Sequence, residues 1–125
     1  MPNLAFGWLW IAVGFVSGAV IGLFFRRPDW LGGYAALPRR LVRLGHISFF
    51  GLGLINILFA LSLPHARLAA DEAKWAGVAM IVGGFAMPIC CGLVAWRERL
   101  HPLFVVPVAA LIYGGVALAR GLMAA

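Results

Sequence analysis

Residues 4–25 read LAFGWLWIAVGFVSGAVIGLFF, a stretch without one charged side chain. At about 1.5 Å of rise per helical residue, its length matches a hydrocarbon core of about 30 Å. Further stretches of the same character run from about Leu44 to Leu63, from Trp75 to Trp96 and from Leu103 to Leu122. The expected fold class is therefore all-α. The chain reads as a polytopic integral membrane protein, a bundle of four transmembrane helices in a single membrane domain, residues 1–125, with tight Gly/Ala packing faces.

Composition points the same way. The 125 residues are 64% hydrophobic and 11% charged, whereas soluble domains are about a quarter charged. Mean hydropathy is +1.01. Sixteen glycines and seven prolines would interrupt helices in water, but in lipid neighbouring helices compensate for them. The connectors, residues 26–43, 64–74 and 97–102, hold the turn formers Pro28, Gly32, Gly33 and Pro38 and are too short for a further domain. A signal peptide carries positive charge ahead of its apolar region; here Arg26 and Arg27 follow it, so the first span is expected to be retained.

The formal charge of +6 does not imply nucleic acid, because the cations sit at helix ends rather than on one solvated face. Arg26, Arg27, Arg39, Arg40, Arg43, Arg97 and Arg99 fall on one side, and Arg67, Lys74 and Arg120 on the other. Cytoplasmic loops of membrane proteins carry the excess of cations, so both termini are expected outside, in a bacterial inner membrane. Trp8, Trp10 and Trp75 then belong to the outer interface, and Trp30 and Trp96 to the inner one. Arg39, Arg40 and Arg43 become candidates for headgroup or anion contact.

Gly14, Gly18 and Gly22, with Gly7 two turns earlier, form a tandem GxxxG in the first span. Small residues at this spacing let a second backbone approach closely. An internal helix contact is the first reading and a homo-oligomer interface the second. Comparable strips are Ala76, Ala79, Gly83, Ala86 and Cys90 in the third span, and Ala110, Gly114, Ala117 and Gly121 in the fourth. Pro88 cannot donate to the carbonyl of Gly84, nor Pro107 to that of Leu103, so both spans are expected to bend.

Polar groups inside the spans are few, and each is a site candidate. His46 and His101 are expected to start helices at the same inner level, where neutral imidazoles would ligate haem iron or another metal. Against this, a histidine at a helix start commonly serves as an interfacial hydrogen-bonding group. Cys90, Cys91 and Met87 add soft sulfur suited to copper(I), although buried cysteines ordinarily act as small hydrophobes. Asn56 shares a face with His46, Phe49, Gly53 and Ala60 and is expected to face protein, either joining helices or lining a ligand or ion path.

No GxGxxG after a strand, Walker loop, GxSxG or HExxH occurs. The four carboxylates, Asp29, Asp71, Glu72 and Glu98, lie in connectors, so neither catalysis nor proton coupling is expected. In length and hydropathy the chain is similar to small multidrug-resistance transporters and to fluoride channels. It carries no motif of either, and the multidrug family's intramembrane glutamate is missing from the first span. The function expected is that of a small non-catalytic accessory or scaffold subunit of a larger membrane complex, respiratory or electron-transferring, with a haem or metal site near the inner face. A small homo-oligomeric channel or transporter is the alternative.

Overall fold

The computed structural model describes residues 1–125 and contains four long helices and no strand: α1 (Pro2–Phe24), α2 (Leu37–Ser62), α3 (Ala70–Trp96) and α4 (Val105–Met123). All four are long and apolar enough to cross a membrane. Short 3-10 segments, Trp30–Gly32, Leu63–His65 and Glu98–Phe104, fill much of the connectors.

Helix ends depart from the apolar spans. α2 begins at Leu37 rather than Leu44, because Pro38 suits a first turn, where no donor is required, and arginine is a good helix former. α3 begins at Ala70 rather than Trp75, with Asp71 and Glu72 in its first turn facing the positive end of the helix dipole. Hydropathy marks where a helix is apolar; it does not mark where backbone hydrogen bonding stops. α4 starts later, at Val105, and Pro107 falls in its first turn, so its missing N–H removes no α-helical bond. The bend expected from Pro107 is replaced by the change from 3-10 to α-helix at Phe104 and Val105.

Consecutive helices pack antiparallel, α1 on α2, α2 on α3 and α3 on α4, while α1 touches α3 only lightly. Glycines set several close approaches. A Cβ on Gly7 would lie 2.5 Å from the carbonyl oxygen of Gly53, and one on Gly53 would lie 2.8 Å from that of Gly7. The backbones of α1 and α2 therefore meet directly. Gly14 backs onto the Phe50 ring and Gly18 onto the His46 ring, but Gly22 has no atom within 4 Å of an added Cβ. On the other flank Gly83 accommodates Leu111, and Gly114 accommodates Met80 and the Ala76 carbonyl. Phe59, Ala76, Met80 and Ala117 form the apolar core between α2, α3 and α4.

Large apolar side chains also cover the outside of the bundle, among them Phe15, Leu23, Leu58, Phe85 and Val116. The alternation of helix direction gathers Arg26, Arg27, Arg39, Arg40, Arg43, Arg97 and Arg99 at one end. Arg67, Lys74 and Arg120 lie at the other, where Arg120 pairs with Glu72 and the Arg67 amide donates to the Gly121 carbonyl.

Candidate functional site

The residues of α1 that face inward are Asn3, Gly7, Trp10 and Gly14, the 4-3-4 spacing of one helical face. Asn3 sits 5% exposed against Asn56, which is fully buried. The Asn3 amide donates to the Asn56 side-chain oxygen and to the Gly77 carbonyl, both at 2.9 Å. The Asn56 amide donates to the Leu52 carbonyl at 2.9 Å and to the Met80 carbonyl at 3.2 Å. Three helices are thus joined by two amides whose donors are all used. Asn56 is legible in the sequence as a polar group facing protein, whereas Asn3, its partner, lies just ahead of the first apolar span and is not among the polar groups that the spans single out. The spacing to Gly7, Trp10 and Gly14 was the signal that marks it.

Two turns further along, Trp10 leaves the outer interface assigned to it and is buried. Its indole nitrogen donates to the Gly84 carbonyl at 2.9 Å. Phe6 stacks on Trp10, with Phe49 at its edge and Phe85 tilted beside it. Pro88 has left that carbonyl without its helix donor, and a buried acceptor needs a partner. The need overrides the interfacial habit of tryptophan.

His46 is half-buried on the α1 side of α2. Ser17 donates its hydroxyl to the Gly14 carbonyl at 3.0 Å, and its oxygen lies 3.0 Å from His46 Nδ1. His46 and Cys91 line one cavity of about 160 Å³ together with Pro88 and Gly92. His101 is elsewhere. It does not open α4 at the level of His46 but lies exposed in the 3-10 segment before it, in a groove with Glu98 and Arg99. Cys90 turns from Cys91 and places its sulfur 3.6 Å from the Leu103 carbonyl. Met87 is half-buried. Nowhere do three His, Cys, Asp or Glu side chains gather as metal ligands.

The three arginines grouped by sequence have different fates. Arg39 is 3% exposed. Its guanidinium donates to the carbonyls of Phe25 at 2.9 Å, Arg27 at 3.2 Å and Pro28 at 3.3 Å. The rings of Phe25, Tyr34 and Trp30 surround it at 4.9, 5.4 and 5.6 Å from their centroids. Carbonyl dipoles and ring faces thus replace a carboxylate as counter-charge. Only its Nε makes no hydrogen bond. The loop that supplies these groups turns through Leu31, Gly32 and Gly33, all at positive φ. Arg43 also lies over Tyr34, 4.3 Å from the ring centroid, and Arg40 is exposed. Arg40 and Arg43 line an open groove of about 520 Å³ with Leu37, Leu41, Leu44 and Ile47. No protein family, curated protein or solved structure matches this chain.

Proposed function

We propose that this chain is a small non-catalytic integral membrane protein that packs as an accessory or scaffold subunit against a helix of a larger membrane complex. Its arginine-rich end lies in the cytoplasm and both termini lie outside. Supporting the membrane reading are the four long apolar helices and the large apolar side chains on their outward faces. Supporting the orientation is the excess of arginine at one end. The interior amides are used in joining helices, so the surface is where the protein meets its function.

The observation that carries the subunit reading is a set of outward glycines. Gly22 on α1, Gly51 on α2 and Gly115 on α4 have nothing within 4 Å of an added Cβ. Each costs helix propensity of about 1 kcal/mol relative to alanine and returns nothing inside the bundle. In lipid, small residues on a helix surface are what lets another helix approach.

Purification in gentle detergent, with native mass and visible absorbance recorded together, tests this reading. The expected result is an assembly containing another chain, lost in Gly51→Leu and Gly115→Leu while the bundle's melting is unchanged. An assembly of this chain alone would replace the subunit reading with the oligomeric channel or transporter. A reporter fused after Ala125 reads the orientation; activity on the cytoplasmic side would reverse it.

A further inference from the structure

We infer that the groove lined by Arg40 and Arg43 holds an anionic phospholipid, its phosphodiester between the two guanidinium groups and an acyl chain along Leu41, Leu44 and Ile47. The inference rests on the membrane reading above and adds a ligand class to it. Leu37, Arg40, Leu41, Leu44 and Ile47 recur at the spacing of one helical face, so the groove follows α2 lengthwise. Its polar part is at the arginine-rich end. Ile47 lies seven residues beyond Arg40, about 10 Å further along the axis. A cationic head and an aliphatic floor in that order match the two parts of one lipid molecule.

Charge complementarity selects an anionic lipid. Seven arginines share this end with Asp29 and Glu98 alone, and neither carboxylate pairs with any of them; the structure's ion pair, Arg120 with Glu72, is at the other end. Arg39 is excluded from the role, because its guanidinium is turned into the carbonyls of residues 25–28. Arg43 is held in place by the Tyr34 face while still lining the groove. Guanidinium groups are well matched to phosphate oxygens, and a groove of about 520 Å³ is within the size of ordinary ligand sites.

The test is native mass spectrometry of the full chain released from nanodiscs of phosphatidylglycerol and phosphatidylcholine in equal amounts. Wild type is expected to retain phosphatidylglycerol preferentially. Arg40→Gln with Arg43→Gln should weaken that retention about thirtyfold, because both guanidinium groups that hydrogen-bond the bound phosphodiester are lost. Arg26→Gln with Arg97→Gln, which removes equal charge from the same end outside the groove, should stay within about threefold of wild type, because exposed charges without contact to the bound phosphate are screened by salt. Equal loss in both double variants would overturn the site in favour of a diffuse surface charge. Displacement of the lipid by millimolar inorganic phosphate would overturn it in favour of a free anion. Carbonate extraction separates the two levels of the argument. Wild type released by carbonate overturns the membrane reading, whereas wild type that stays embedded without lipid preference overturns this inference alone.

Discussion

The indole nitrogen of Trp10 donates across 2.9 Å to the carbonyl of Gly84, the acceptor that Pro88 leaves open four residues later in α3. A proline that would weaken a helix in isolation is thereby accommodated by a side chain from another helix. Together with the bond from Asn3 to the Gly77 carbonyl, the pairing fixes the register of α1 on α3, which otherwise touch lightly.

Trp10→Phe keeps the ring packing and removes the donor, and is expected to destabilise the bundle by about 1–2 kcal/mol, the cost of an unmade hydrogen bond to a buried carbonyl. In the Pro88→Ala background the backbone N–H of residue 88 becomes available to Gly84, so the same substitution should cost measurably less. Unfolding in mixed micelles, read as a double-mutant cycle, checks this. Additive effects would show that the two sites are independent.

Among the glycines of α1 the expected order of damage on substitution by alanine is Gly7 first, then Gly14 and Gly18, with Gly22 last. At Gly7 the added carbon meets backbone at 2.5 Å, at Gly14 and Gly18 it meets side-chain rings at 2.9 and 2.7 Å, and at Gly22 it meets nothing. Rings can shift and backbone cannot. Gly7→Ala should cost about 1–3 kcal/mol by overpacking, while Gly22→Ala should be neutral or gain up to about 1 kcal/mol from helix propensity when no partner is bound. Melting temperatures of the four purified variants give the order directly. An unchanged Gly7→Ala protein would contradict the close approach at Gly53.

Asn56→Ala is expected to cost more than Asn3→Ala. Asn56 accepts from Asn3 and donates to two carbonyls, whereas Asn3 has two bonds in all. Each has two bonds between helices, together about 1 kcal/mol at an average of about 0.6 kcal/mol apiece, and Asn56 loses in addition its bond within α2 to the Leu52 carbonyl. The double variant should fall short of their sum, because the bond between the two amides is shared. Equal losses in the two variants would mean that the bond from Asn56 to the Leu52 carbonyl adds nothing.

Arg39→Lys should loosen the connector between α1 and α2 although charge is kept. An ammonium cannot reproduce the planar fork that reaches the carbonyls of Phe25, Arg27 and Pro28. Limited proteolysis across residues 25–36 is expected to accelerate in this variant and to remain at the wild-type rate in Arg40→Lys, whose side chain is exposed. Equal rates in the two variants would refute the difference drawn between these neighbours.

The residues 4–25 and their three successors announced helices from composition alone, because a run of apolar side chains long enough to cross lipid has few other solutions. The same local reasoning marked Asn56 as facing protein and placed the arginines at helix ends. It misjudged the start of α2, since Pro38 and Arg39 are polar by hydropathy yet helical by backbone bonding. It also assigned Trp10 to an interface by residue type. That assignment failed for a reason outside the first helix: the open carbonyl of Gly84 lies 74 positions away.

Arg39 and Arg40 show where the sequence stops. They are adjacent and identical, but about 100° apart around α2, so one turns into the carbonyls and rings of residues 25–34 and the other into a groove beside Leu41 and Leu44. Hydropathy and charge counts are sums over neighbours in the chain and determine which segments are helical and which end is basic. Which polar atom meets which depends on rotation and register between helices, a property of pairs distant in sequence. Asn3 with Asn56, Trp10 with Gly84 and Gly7 with Gly53 were therefore decided by the tertiary structure.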